Sequence, residues 1–118
     1  MRVLIPGGCG FIGSSISIYL KKKFKNCDVI TIDNLSRNTS YLNEKKLKKH
    51  NIRNIRIDIS KNNFISRFKK EKKRIDFIID CCAEPSVEIS KKKPELVFNS
   101  NLKSTLNLLE LAKKNNSK

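Results

Sequence analysis

All four glycines of this 118-residue chain fall in one short segment, Gly7, Gly8, Gly10 and Gly13. Directly before them stands the apolar run Arg2-Val3-Leu4-Ile5, stopped by Pro6. Such a run, cut off by proline and glycine, reads as a buried strand. Directly after them the periodicity changes. Ile12, Ile16, Leu20 and Phe24 recur every four residues and mark one face of a helix over Phe11 to Phe24. Lys21, Lys22, Lys23 and Lys25 crowd its last turn, where cations suit the helix dipole.

The same alternation continues to the end of the chain. Val29, Ile30, Thr31 and Ile32 are all β-branched and predict a second strand within Asp28 to Asp33. Asn34 to Ser40 is polar and turn-like, and Tyr41 to His50 suits a short helix with Leu47 inward. Ile55, Ile57 and Ile59 alternate in a third strand over Asn54 to Ile59. Ser60 is a candidate cap for a helix running to about Lys73, with Phe64, Ile65 and Phe68 inward. Phe77, Ile78 and Ile79 make a fourth strand over Asp76 to Asp80, and Cys81 to Lys93 reads as a loop. Past Pro94, the residues Leu96, Val97, Leu102, Leu106, Leu109 and Leu111 mark a long last helix. Strands alternating with helices give an α/β fold, a doubly wound parallel sheet with helices on both faces. Right-handed crossovers put the four strands in the order 3-2-1-4.

Composition narrows the function classes. The apolar fraction is 38%, aromatics are 7% and there is no Trp, so the core of one domain must be built from Ile, Leu, Val and Phe. No apolar run approaches the ~18 residues of a membrane span. Pro6 and the glycines interrupt the only apolar start, so no secretory leader is expected. The charge is +15, from 26 basic and 11 acidic residues. The 20 Lys, 15 Ile and 13 Asn all have AT-rich codons, so genomic drift can supply much of this excess. A basic chain also carries the electrostatic footprint of a nucleic-acid binder. Scarce aromatics argue against a base-stacking platform, so no dedicated nucleic-acid partner is expected. The runs Lys69 to Arg74 and Lys91 to Lys93 read as solvated helix ends and loop. Cys9, Cys27, Cys81 and Cys82 form no C-x-x-C pair and the single His is His50, so no metal site is expected. Free thiols fit the reducing cytoplasm.

The glycine segment has a chemistry of its own. Gly8, Gly10 and Gly13 satisfy G-x-G-x-x-G, and Gly7, Gly10 and Gly13 satisfy G-x-x-G-x-x-G. A turn between strand and helix needs a positive φ, a diphosphate needs a clear approach to the main chain, and the helix must lie close to the strand. The helix N-terminus then offers N–H groups and a partial positive charge to phosphate. The dinucleotide-binding pattern also demands an acidic residue about 20 positions on, at the end of the second strand. Asp33 stands there, 20 residues beyond Gly13. Its carboxylate can accept both adenosine ribose hydroxyls and repels a 2′-phosphate, so the expected cofactor is NAD. Arg37 lies close by and keeps NADP as the lesser alternative. A stand-alone dinucleotide-binding regulatory module remains a second reading.

The segment Gly7-Gly8-Cys9-Gly10-Phe11-Ile12-Gly13-Ser14, followed by Asp33-Asn34-Leu35-Ser36-Arg37, resembles the NAD-dependent sugar epimerase/dehydratase family of the extended short-chain dehydrogenase/reductase superfamily. Ala83-Glu84-Pro85-Ser86-Val87 and Asn101 through Glu110 resemble the family's next segments, with a leaning toward CDP-paratose (CDP-tyvelose) 2-epimerase-like members. The resemblance implies that residues 1–118 are the NAD(P)-binding Rossmann domain at the N-terminal part of such an enzyme, incomplete relative to the family. It implies that Gly7, Gly10 and Gly13 with Phe11 and Ile12 hold the diphosphate. Asp33, with Asn34 and Arg37, would meet the adenosine ribose, and Asp58 and Ile59 would flank the adenine. Cys81, Cys82 and Ala83 would line the cofactor, Asn101 would support the site, and Glu84 and Ser86 would face a nucleotide-sugar substrate.

Departures from the family pattern stand beside these matches. Pro6 replaces a frequent Thr, Ser104 a usual Gly, and Asp80-Cys81-Cys82-Ala83 a common His-Leu-Ala-Ala. The family's proton relay resembles a Tyr with a Lys four residues on and a Ser or Thr, placed after the fifth strand. The chain ends at Lys118, before that region, so the isolated chain is expected to be catalytically inactive, with a second copy or a complementing C-terminal fragment as partner. Tyr19…Lys23 and Tyr41…Lys45 fit Y-x-x-x-K, but neither lies at a strand end where ligands bind, so neither is expected to be catalytic.

Overall fold

The structure, a computed structural model, describes residues 1–68, 71 and 73–118. Its four strands are β1 (Arg2–Pro6), β2 (Asp28–Ile32), β3 (Arg53–Ile55) and β4 (Phe77–Ile78). They form one sheet in the order β3-β2-β1-β4, and every pairing is parallel. Arg2 lies opposite Asp28, Ile30 opposite Arg53 and Val3 opposite Phe77. The helices are α1 (Phe11–Lys23), α2 (Ser40–Lys49), α3 (Phe64–Phe68), α4 (Val87–Lys92), α5 (Pro94–Phe98) and α6 (Ser104–Asn115). The expected fold class and strand order are both present.

Strand side chains alternate between two apolar layers, as the pleat requires. Leu4 and Ile30 point to the side covered by Phe64 and Phe68 of α3 and by Leu108 and Leu111 of α6. Val3, Ile5 and Val29 point to the other side, covered by Ile18 of α1 and Leu47 of α2. Leu47 is fully buried, as its position in the short helix predicts.

The elements differ from the sequence expectation where hydrogen bonding, rather than hydrophobicity, sets the boundary. β3 ends at Ile55, because Ile57 N–H turns back to the Ile55 carbonyl at 2.9 Å. Ile57 and Ile59 stay buried without a ladder. β4 is formally short, yet N–H groups continue to bond along β1: Asp76 to Arg2, Ile79 to Leu4 and Cys81 to Pro6, at 2.9–3.0 Å. On the outer edge of β4, Lys118 N–H bonds the Asp76 carbonyl, and Ile78 N–H bonds the Lys118 carbonyl, each at 2.9 Å.

Three helices also differ. The face of α1 against the sheet is Gly13, Ser14, Ser17 and Ile18, whereas Ile12 and Phe24 are exposed. Small residues win there because α1 starts too close to the glycine turn for large ones. Ser60 is no cap: its N–H and hydroxyl both donate to Asp58 Oδ1, at 3.0 and 2.7 Å, and α3 begins only at Phe64. Its expected continuation to Lys73, and much of the Lys69 to Arg74 run, involve residues 69, 70 and 72, outside the described residues. The expected loop over Cys81 to Lys93 contains α4, capped by the Ser86 hydroxyl, which accepts from Ile89 N–H.

The long last helix is interrupted. Between α5 and α6 the chain widens into a π turn at Asn99–Lys103. The Asn99 carbonyl accepts both the N–H of Ser104 and, at 3.1 Å, its hydroxyl. This turn shifts the helical phase. Leu108 and Leu111 go inward, while Leu96, Leu102, Leu106 and Leu109 are exposed. Among the described residues no helix is long and apolar enough to cross a membrane.

Candidate functional site

A cleft of about 380 Å³ opens where β1, β2 and β4 end and α1 begins. Ligands bind at this carboxyl edge of open α/β sheets, at the point where strand order reverses. The floor is the glycine turn. Gly7 has φ +68°, and a Cβ on it would meet the Cys81 carbonyl at 2.5 Å. Gly13 lies so close to the turn that a Cβ would overlap the Gly7 carbonyl and stand 2.8 Å from Gly8 Cα. Gly8 is buried against Thr31, away from the cleft. The working spacing is therefore Gly7-x-x-Gly10-x-x-Gly13, whose three glycines all line the cleft.

Gly10 has a different reason to be glycine. A Cβ there would touch only the Gly7 carbonyl, at 3.1 Å, and otherwise face open cleft. Gly10 is also the N-cap of α1, and the first turn holds no acidic side chain. The N–H groups of Phe11, Ile12 and Gly13 thus face the cleft with the positive end of the dipole uncompensated.

Asp33 closes one end. Its Oδ2 accepts the Cys9 N–H at 3.0 Å and its Oδ1 accepts the Leu35 N–H at 2.8 Å. The carboxylate therefore ties the glycine turn to the end of β2 and is held at one orientation. Leu35 takes a left-handed φ of 56° in that turn. Asn34 and Arg37 line the same end. Asp58 and Ile59 form the neighbouring wall, pinned to α6 by Asn107 Nδ2, which donates to the Ile59 carbonyl at 2.6 Å. Cys81, Cys82, Ala83 and Glu84 complete the opposite wall behind β4.

The structure thus brings together thirteen of the fourteen residues expected to hold the cofactor, and Glu84 with them. Asn101 stands outside the lining. Its Oδ1 accepts Glu84 N–H at 2.7 Å and its Nδ2 donates to the Glu84 carbonyl at 3.2 Å, so it fixes the main chain of that wall. Ser86 also lies outside the lining and caps α4. Ser36, Ser40, Ile57, Pro85, Ser100 and Ser104 also line the cleft and were not among the expected site residues. Ser36 and Pro85 lie within the segments that carry the family resemblance, and Ser104 is one of the departures from it. Ser100 and Ser104 reach it only through the π turn, which the residue pattern does not announce.

Comparison with known proteins gives one answer. The NAD dependent epimerase/dehydratase family profile matches residues 3–118. The chain belongs to the NAD-dependent epimerase/dehydratase family. Among members of this family, a dTDP-D-glucose 4,6-dehydratase of Dictyostelium discoideum is 37% identical over 114 residues, covering 95% of the chain and 26% of the relative. A CDP-paratose 2-epimerase of Salmonella typhi is 32% identical, covering 99% of the chain and 34% of the relative. A UDP-glucose 4-epimerase of Thermus thermophilus, solved in complex with NAD, superposes with a TM-score of 0.79 at 32% identity, over 98% of this chain and 35% of that one. The chain spans about a quarter to a third of the length of these relatives.

The cofactor of this family is NAD, and the cleft fits it. The clear approach at Gly10, the uncompensated start of α1 and a fixed carboxylate at the ribose end together match a diphosphate flanked by a ribose. Tyr19 and Tyr41, by contrast, are exposed and do not line the cleft. The Tyr19 hydroxyl is 2.7 Å from Lys23 Nζ on the outer surface of α1. Among the described residues no cluster of His, Cys, Asp and Glu is arranged to hold a metal ion.

The thiols of this family member are quiet. Cys9 is fully buried under Asp33, and burial, reinforced by the Asp33 charge, pushes its pKa up to about 12. Burial also raises Cys82, with Asp80 adding to it. Since the thiolate is the nucleophile, Cys9 is expected to resist iodoacetamide at pH 8 in the folded chain and to react in denaturant. Mass spectrometry of the Cys9 peptide checks this.

Proposed function

We propose that residues 1–118 form the NAD(P)-binding Rossmann domain of a nucleotide-sugar epimerase or dehydratase. The observation that carries this reading is the glycine turn and Asp33 on one cleft, tied by the Cys9 N–H bond of 3.0 Å. Gly7, Gly10 and Gly13, with Phe11 and Ile12, hold the diphosphate. Asp33 and Asn34 take the adenosine ribose, with Arg37 at its side, and Asp58 and Ile59 flank the adenine. Cys81, Cys82 and Ala83 bound the cofactor on the β4 side. Asn101 supports that wall, and Glu84 and Ser86 face the nucleotide sugar. When bound, NAD supplies a hydride acceptor and donor for a sugar carbon. The chain's own residues hold and orient it.

Two finer points belong to this reading. The exposed row Phe98, Leu102, Leu106 and Leu109 supports association with a second copy or a complementing C-terminal segment, since apolar rows of that size are rarely left bare. The four free thiols suit a cytoplasmic setting.

Calorimetric titration of the chain tests the cofactor site. Saturable binding of NAD at millimolar concentration or below, and weaker binding of NADP, is the expected result. No heat of binding at millimolar NAD, from a sample with the circular dichroism of a folded α/β protein, overturns the reading.

A further inference from the structure

One ion pair crosses the mouth of the cleft. Arg37 Nη2 stands 2.9 Å from Glu84 Oε1. Arg37 follows β2, four residues past Asp33, and Glu84 follows β4 on the opposite wall. The two partners are not equally anchored. The Glu84 side chain is 13% exposed and that of Arg37 51%. Both backbone polar groups of Glu84 are bonded to Asn101, and its Oε1 also accepts the Ser86 N–H at 3.1 Å. Glu84 is the fixed end, and the guanidinium is drawn across to it.

We propose that Glu84 sets the dinucleotide selectivity of the cleft by holding the Arg37 guanidinium away from the adenosine ribose. The inference rests on the cleft being the NAD site. A guanidinium beside the ribose-binding carboxylate is the natural partner of a 2′-phosphate, because its planar fork matches phosphate oxygens. Here one arm of that fork, Nη2, is committed to Glu84. Asp33, Asp58 and Glu84 contribute three negative charges to the cleft and Arg37 one positive, so an arriving 2′-phosphate meets net negative charge and a guanidinium already turned toward Glu84. Removal of the Glu84 charge lessens the excess and releases Arg37 toward the ribose. NAD has no group at that position and gains less than NADP, so the ratio of the two affinities is the readout.

The test is calorimetric titration with NAD and NADP at one fixed low ionic strength. The parent chain, Glu84→Gln, and Glu84→Gln combined with Arg37→Ala are compared, each checked by circular dichroism. In Glu84→Gln the ratio of NAD to NADP affinity is expected to fall on the order of tenfold, chiefly through tighter NADP binding. Adding Arg37→Ala is expected to abolish that gain. An unchanged ratio in folded Glu84→Gln overturns the proposal, and so does a gain that survives Arg37→Ala. If Glu84→Gln loses the parent's spectrum, Glu84→Asp decides. It withdraws the carboxylate by one methylene and is expected to shift the ratio the same way, and an unchanged ratio there overturns the proposal. A parent chain that binds neither dinucleotide overturns the reading of the cleft and this inference with it. NAD binding with unaltered selectivity overturns this inference alone.

Discussion

Gly7→Ala is expected to cost about 3 kcal/mol or more of folding stability, read as a lowered denaturation midpoint in urea. Two effects combine at this position. The φ of +68° lies in the left-handed region, where a Cβ carries an intrinsic penalty. The added carbon would also meet the Cys81 carbonyl at 2.5 Å and the Cys82 nitrogen at 2.9 Å. Both are main-chain atoms of the segment that bonds along β1, so neither can rotate away. Relief requires β1 and the β4 segment to part, and Cys81 N–H to Pro6 carbonyl is one of the bonds that would stretch. Gly10→Ala is the informative contrast. Its Cβ would meet one carbonyl at 3.1 Å and otherwise fill cleft space. Stability is expected to change by under about 1 kcal/mol, whereas NAD affinity is expected to fall at least about tenfold, since one lost phosphate bond is worth that much. Similar stability loss in both variants would show that Gly10 serves packing and not ligand approach.

Asp33→Ala is expected to weaken NAD binding by about a hundredfold, the value of two charge-assisted hydrogen bonds to the ribose. It is also expected to destabilise the chain by about 1–3 kcal/mol, because the Cys9 and Leu35 N–H groups lose their acceptor. The two losses separate in Asp33→Asn. An amide oxygen still accepts one of those N–H groups, so stability recovers in part. The second acceptor and the charge are gone, so affinity stays low. Calorimetry with NAD and urea denaturation of both variants distinguish the contributions. Recovery of affinity along with stability in Asp33→Asn would mean that the carboxylate acts on the loop and not on the cofactor.

The fold was legible because the sheet is buried on both faces. Val3-Leu4-Ile5 and Val29-Ile30-Thr31-Ile32 must be strands when every residue needs an apolar or satisfied neighbour. The cleft was legible for a different reason: Gly7, Gly10, Gly13 and Asp33 are chemically demanded at fixed spacing, so their positions survive any error in element boundaries. What stayed hidden depends on atoms that residue type does not encode. Nothing in Ile57 says that its N–H will fold back onto Ile55. Ser104 gives no sign that its hydroxyl will share the Asn99 carbonyl with its own N–H and stretch a helix by one residue. The α1 face was misjudged because large apolar residues at helical spacing outweighed Ser14 and Ser17. Proximity to the glycine turn reverses that weighting.

Cys81 and Cys82 are neighbours in sequence but belong to different halves of the molecule. The first packs against the apolar layer that holds Val3 and Ile5, the second against the layer that holds Leu4 and Ile30. Each apolar layer thus reaches the cleft through one of two adjacent residues, so a shift in either layer moves the wall that Cys81 and Cys82 share.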